Sequence, residues 1–296
     1  MSKEKTGAAK KEFFRQEKKK ITKERKEYFE KKRAEAAQAK GFSNERFKKP
    51  EVTKTVAEKM PLNKYIAHSG ICSRRDAVDI IKGGKVKVND AVVTEPGFKI
   101  AETDVVLVSG KKITPAKNLV YILMNKPKDY ITTTDDPQKR KTVLDLIKIK
   151  ERIYPVGRLD RNTSGVLLLT NDGELSQKLT HPSHEVKKVY HITLNRDLDK
   201  KDFDRVLKGV DLEDGPASVD VLAYADVKDK TQLGVEIHSG RNRIVRRIFE
   251  HLGYDVKNLD RVMFAGLTKK NVERGKWRFL SEKEVRDLKY FGKGNR

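Results

Sequence analysis

One acidic residue, Asp160, closes a Gly-Arg-Leu-Asp turn in the string PVGRLDRNTSGVLLLTNDGEL, residues 155–175. Gly157 lets the backbone turn sharply, and the apolar run Val166 to Leu169 beyond it reads as a buried strand. A side chain at that junction is displayed from a loop yet held by a rigid element, as a reactive group requires. Two cations, Arg158 and Arg161, flank it. A carboxylate in a basic loop of a basic chain faces a polyanion, which suggests chemistry on nucleic acid and not binding alone. A free aspartate titrates near ~3.9; burial raises that value by up to about 3–5 units, and a nearby guanidinium lowers it by roughly 1–3. With an arginine beside it in a dry pocket, Asp160 stays anionic and can act as a nucleophile or stabilise cationic character on a sugar.

Three further stretches carry suitable groups. MNKPKDYITTTDD, residues 124–136, reads as a strand broken at Lys126-Pro127, with a structural role and an RNA-backbone contact for Lys126. HPSHEVKKVYHI, residues 181–192, contains Tyr190, whose ring can stack on a base and whose phenol can transfer a proton. HSGRNRIVRRIFEHLGYDVKNLDRV, residues 238–262, holds four arginines within seven residues: Arg241, Arg243, Arg246 and Arg247. These read as phosphate contacts. His181 and His184 are interrupted by Pro182 and have no accompanying cysteine or carboxylate set, so no metal is expected. No G-x-G-x-x-G or P-loop string appears, and no nucleotide cofactor is indicated.

The elements that must position these groups follow from the hydrophobic pattern. LVYILMNK, VGRLD, GVLLLT, VYHITLN, ASVDVLAYA and TQLGVEIHS read as strands, and residues 172–180, 200–208 and 243–252 as helices. They mix without regular βαβ alternation, so the class expected for residues 118–296 is α+β with a mainly antiparallel sheet. WRFLSEKEVRDLKYF reads as a strand and a helix with a Ser281–Glu284 capping box.

Residues 60–117 form a separate small module. Leu62, Tyr65 and Ile66 have helical spacing, ended by Gly70; Ser73 caps a second helix, RRDAVDIIK. KVKVN, AVVT and DVVLVSG read as short strands, the first two joined at Asn89-Asp90. Lys64, Arg74, Arg75, Lys82, Lys85 and Lys87 give this module a basic face. Arg74 and Arg75 fall in a helix first turn, where the macrodipole disfavours cations, so a role other than helix stability is expected of them. Cys72 reads as a small core residue. KKITPAKN, residues 111–118, reads as a polar linker.

The chain has 66 Lys+Arg against 43 Asp+Glu, a net charge of +23. Such a balance points to a polyanionic partner. No apolar stretch approaches the ~18–20 residues of a membrane span. With one cysteine and no apolar leader, a reduced, cytoplasmic protein is expected. Residues 1–59 alone carry 20 Lys+Arg and 10 Asp+Glu with few aliphatics, so disorder or transient helix is expected. Aromatics interspersed there, such as Phe13, Phe14 and Tyr28, suit base stacking; the alternative is a solubilising tail.

The string from Gly157 and the three further stretches closely resemble the motifs of bacterial ribosomal RNA pseudouridine synthases, in the branch containing RsuA and RluB. LNKYIAHSGICSRRDA and KVKVN resemble the S4 RNA-binding module. The resemblance covers about residues 60–291 and implies that Asp160 is the catalytic carboxylate, Tyr190 lies in its pocket, and Arg246 pairs with Asp160, Arg243 being the next candidate. Ile244 stands where the family often has Gln, which removes a hydrogen-bonding side chain there. The implied reaction breaks the uridine N-glycosidic bond, turns the uracil and rejoins it through carbon, without a cofactor, on a uridine flipped out or in a loop. HPSHEVKKVY and GVDLEDGPA look closest to the large-subunit type. This implies 23S rRNA, in precursor or partly assembled subunits, as partner of a monomeric enzyme. The alternatives are small-subunit rRNA or tRNA as substrate, and a non-catalytic RNA-binding ribosome-assembly factor.

Overall fold

The computed structural model describes residues 59–116, 118–226 and 228–290; the expectations for residues 1–58 lie outside them. The chain divides into residues 1–57 and one compact unit from residue 58 onward.

That unit begins with strand β1, Met60–Pro61, and helix α1, Leu62–His68. Leu62, Tyr65 and Ile66 are the buried face of α1, as their spacing requires. Gly70 adopts φ 82 just beyond the helix. In α2, Arg74–Lys82, Ser73 and Asp76 close a reciprocal capping box that satisfies two otherwise orphaned N–H groups. Strands β2 (Val86–Val88) and β3 (Ala91–Val92) form a hairpin whose turn residues, Asn89 and Asp90, have φ 48 and 68. Two successive positive φ values match the right-handed twist of the paired strands. β4, Lys99–Ile100, pairs with β1. β5 (Val106–Val108) and β6 (Lys111–Ile113) complete a sheet of order β3-β2-β5-β6. β6 corrects the expected linker: its Ile113 pairs with Val106 and is buried, and its carbonyl accepts from the Tyr65 hydroxyl at 3.4 Å. Polar Lys111 and Lys112 hid an edge strand with a single inward side chain.

The remaining strands build a second, larger sheet. They are β7 (Tyr121–Lys126), β8 (Tyr154–Pro155), β9 (Ser164–Thr170) and β10 (Lys188–Leu194). A hairpin of β11 (Val210–Leu212) and β12 (Gly215–Ala217) intervenes. β13 (Val221–Tyr224), β14 (Gln232–Ile237), β15 (Val256–Phe264), β16 (Leu267–Thr268) and β17 (Trp277–Phe279) follow. The main order is β13-β14-β10-β15-β9-β7-β17. All pairings are antiparallel except β15 with β9, which meet only at Asp260–Ser164 and Arg261–Gly165. This is the expected α+β architecture.

Four helices pack on this sheet: α3 (Gly173–Thr180), α4 (Lys200–Lys208), α5 (Ile244–His251) and α6 (Glu282–Tyr290). One face buries Ile122, Met124, Leu167 and Ile192 against Ile244, Val245, Ile248 and Phe249 of α5. The other buries Leu123, Val166 and Leu168 against Leu175 and Leu179 of α3 and Leu288 of α6. Having both faces covered explains why Val166–Leu169 of β9 is an unbroken apolar run. The Ser281–Glu284 box is present before α6, and Glu284 also holds Arg278 at 2.6 Å.

Three expectations are corrected. VGRLD is not a strand: only Tyr154–Pro155 pairs with β9, and the chain leaves the sheet at Gly157, φ 72. ASVDVLAYA is split between β12 and β13. β15 was not expected at all, because Lys257, Asn258, Asp260 and Arg261 break its apolar alternation.

Candidate active site

The Asp160 loop joins β8 to β9 and is fastened from beneath. Val156 and Leu159 are buried and anchor it. The Leu159 carbonyl accepts from Thr132 Oγ1 at 2.8 Å, and the Thr163 N–H donates to the Asp160 carbonyl at 3.0 Å. At the end of β7, Lys126 is fully buried. Its Nζ donates to the carbonyls of Thr163 (2.8 Å), Asp160 (3.0 Å), Pro127 (3.1 Å) and Arg161 (3.3 Å). An ammonium has three protons, so four acceptors saturate it. Lys126 is therefore a clip for the Asp160 loop, which corrects the expected RNA-backbone contact. Burial pulls its pKa down to about 8, against the opposing pull of Asp160 and Asp129.

The Asp160 side chain is half-buried. Among the described residues its carboxylate accepts no hydrogen bond and joins no ion pair, although Lys126 and Arg246 both feel its charge. Arg246, 8 % exposed on the first turns of α5, donates to the carbonyls of Val256 at 2.7 Å and Asn162 at 3.4 Å. It grips the loop two residues past Asp160 instead of forming the expected direct pair. Its Nε is buried and without a partner. Burial is the main force lowering its pKa, followed by Arg243, with Asp160 opposing. Arg243 caps α5 with φ 48 and pairs with Glu250 at 3.2 Å.

Tyr190, in the middle of β10, is 8 % exposed and faces the core shared with Leu159 and α5. Its cross-strand neighbours are Val235 and Arg261. The next residue, His191, faces the opposite way, into a polar cleft of about 510 Å³ that also contains Asp260. Sequence reasoning passed over two cations near Tyr190, the half-buried Lys188 and the buried Arg261. Lys188 Nζ donates to the carbonyls of Val186 (2.9 Å), His238 (2.5 Å) and Ser239 (3.3 Å), and burial pulls its pKa down to about 8. Arg261 lies within β15, whose strand character was itself hidden. For Lys188 the available signal was its place two residues before Tyr190, on the same strand face.

The other predicted RNA contacts divide by exposure. Arg158 is exposed. Arg161 is exposed but pairs with Asp129 at 3.2 Å. Arg241 and Arg247 both converge on Asp214 in the β11–β12 turn, Arg247 through Nη1 at 2.9 Å and Nη2 at 2.5 Å. These two guanidiniums hold the Asp214 carboxyl well below the usual carboxylate range. In the small module Arg74, Arg75, Lys82, Lys85 and Lys87 are exposed. Lys64 instead spans to Glu174 of α3 at 2.9 Å, and the Ala116 N–H donates to the His68 carbonyl at 2.8 Å.

A polar, cation-rich site on a mixed sheet, preceded by a small basic module, defines a nucleic-acid-directed enzyme fold. Residues 120–251 match the model of the RNA pseudouridylate synthase family, and residues 60–106 that of the S4 domain. The "Ribosomal large subunit pseudouridine synthase B" of Bacillus subtilis is 43 % identical over 77 % of this chain and 95 % of that protein. The "Dual-specificity RNA pseudouridine synthase RluF" of Escherichia coli O157:H7 is 35 % identical over 77 % of each chain. A crystal structure of a pseudouridylate synthase superimposes with TM-score 0.57 at 27 % identity, covering 77 % of this chain and 99 % of that one. The chain belongs to the RNA pseudouridine synthase family, in its S4-domain-bearing form.

Proposed function

We propose that the protein isomerises a uridine of ribosomal RNA to pseudouridine, with large-subunit 23S rRNA as its target and Asp160 as its nucleophile. The observation that carries this reading is the Asp160 carboxylate. Its backbone is held by Lys126, its loop is gripped by Arg246, and its side chain has no partner among the described residues. A surface aspartate with no role would not need a loop fastened by two buried cations. An anion that no internal cation neutralises is available to a reacting sugar or base.

In this reading Asp160 assists cleavage of the N-glycosidic bond. The detached uracil turns over the Tyr190 ring and bonds to the ribose through C5. Tyr190 then takes the C5 proton while N1 is protonated from solvent. Arg246 and Lys126 hold the loop geometry. Residues 60–117 grip folded RNA through Arg74 and Arg75, and residues 1–59 add affinity through their charge. The large-subunit target is supported by the similarity to the B-type synthase of Bacillus subtilis. The dual-specificity relative supports a second reading in which more than one RNA is modified.

The test maps pseudouridine chemically across rRNA and tRNA from cells lacking the protein. Loss of one modified position in 23S rRNA is expected, restored by the parent and not by Asp160→Asn. Loss in 16S rRNA or tRNA alone would reassign the substrate. An unchanged modification pattern would leave a binding factor as the better description.

A further inference from the structure

Among the described residues, Arg261 is the other buried arginine besides Arg246, at 3 % exposure. A buried cation is costly unless something repays its desolvation. Its surroundings supply little. Nε donates to the Val166 carbonyl at 2.8 Å, and the guanidinium stands 4.6 Å from the Phe264 ring centroid. Nη2 is buried with no hydrogen-bond partner. The neighbouring carboxylate, Asp260, belongs to the opposite face of β15, where Lys269, Arg274 and Ser164 engage it. The group that favours the charge of Arg261 is the phenol of Tyr190, its cross-strand partner.

We propose that Arg261 is a positioning residue for the isomerisation: its guanidinium fixes the Tyr190 phenol and stabilises the negative charge on that oxygen when it serves as base toward C5. This deepens the role proposed for Tyr190 and rests on that reading. Once C5 has bonded to the ribose C1′, it carries both the new bond and its original hydrogen. The Tyr190 oxygen, its own proton already passed to solvent, accepts the C5 proton. The C5–H electron pair becomes the C5=C6 double bond, and the former C6=N1 pair binds a proton from solvent at N1. A guanidinium without a carboxylate partner is suited to this step, because a carboxylate would spend its charge before the phenolate formed.

The experiment uses the full chain and an rRNA transcript on which the parent makes pseudouridine; if the parent makes none on any rRNA, the proposed function fails and not this inference. Arg261→Met is expected to lower kcat by about 100-fold with KM within about threefold. A deuterium isotope effect from uridine labelled at C5 should emerge in that variant. Its adduct with 5-fluorouridine RNA should still form, because bond formation precedes loss of the C5 substituent. Arg261→Lys should recover activity to within about tenfold of the parent. Parent-like kcat, or a loss with no isotope effect, would overturn the proposal in favour of a purely structural tether to β9. If Arg261→Met does not fold, Arg261→Lys is compared in the parent and in a Tyr190→Phe background. Its effect on kcat should vanish in the latter, and equal effects in both would overturn the proposal.

Discussion

The Asp160 loop and the segment from Arg241 to Arg247 are built alike and charged differently. A lysine holds carbonyls at each: the buried Lys126 under residues 160–163, and the half-buried Lys188 under His238 and Ser239, just before the second segment. In the second segment the charges are spent internally, since Arg241 and Arg247 both close on Asp214. In the first, the Asp160 carboxylate is left without a partner among the described residues. A cluster of arginines in a sequence advertises phosphate binding, yet here two of them brace the β11–β12 turn. The single acid in the facing loop keeps its charge available. In the proposed function, chemistry is separated from scaffolding by which charge is left unpaired.

The largest expected effect comes from erasing that free charge. Asp160→Asn keeps shape and the backbone contacts to Lys126, so folding and RNA binding should survive. Isomerisation should fall by about 10⁴-fold or more, as when a nucleophile is removed. Tritium release from 5-labelled uridine in RNA measures it. Activity within about tenfold of the parent would remove Asp160 from its role.

Arg246→Ala should rank next. It strips the Val256 and Asn162 carbonyls of a donor, at a cost of about 1–3 kcal/mol, and lets the Asp160 loop drift. A loss of about 10²–10³ in kcat is expected from such misplacement. Because Arg246 feels the Asp160 charge without pairing to it, the double variant with Asp160→Asn should lose less stability than the two singles combined. Strict additivity in urea melts would mean that the two residues are not coupled.

Lys126→Met tests the clip directly. Kinetically it should cost about 10² in kcat if the loop moves by about 1 Å. It also carries a pH signature. Burial holds Lys126 and Lys188 at about 8 in the folded protein, against an ordinary 10.5. Below about pH 8 both states hold these protons and the burial cost is fully present. Between about 8 and 10.5 the unfolded chain binds protons that the folded one has released, so stability contributed by these groups rises with pH. Urea midpoints measured across that window should climb in the parent and climb about half as much in Lys126→Met, with Lys188 supplying the remainder. Equal climbs would mean that Lys126 does not titrate there.

Much of this arrangement could be read from residue types. Leu62, Tyr65 and Ile66 announced a helix because spacing alone sets which side chains share a face. Ser73 and Ser281 announced caps because a hydroxyl at that position has a defined N–H to satisfy. The α+β class followed from short strands without regular crossover helices. What escaped was decided by long-range pairing. β15 carries four polar or charged residues and is a strand only because β10, β9 and β16 pair with it. Lys126 and Lys188 look like surface cations until the carbonyls of distant loops converge on them. Arg261 was hidden for both reasons. Gly165 shows the same limit: a Cβ there would stand 2.1 Å from the Arg261 carbonyl oxygen, a constraint that exists only once β9 and β15 lie side by side.

The smallest expected effect lies in the S4 domain and extends the same contrast to binding. Arg74 and Arg75 are exposed in the first turn of α2, where they cost the helix stability. Lys64 belongs to the same basic face but is already paired with Glu174 of α3. Free cations contribute counterion release on meeting phosphates; a cation engaged within the protein gives up one contact to make another. Arg74→Ala with Arg75→Ala should therefore raise KM on folded rRNA fragments by about tenfold and reduce the slope of log affinity against log salt by about 2, leaving kcat unchanged. Lys64→Ala should move the slope by well under 1 and instead loosen the junction between the S4 domain and α3, seen as faster amide exchange at His68 and Ala116. Binding titrations at several salt concentrations on both variants make the comparison. An equal fall in slope for Lys64→Ala would show that its ion pair opens to RNA, and that pairing inside the protein does not mark a cation as withheld from the substrate.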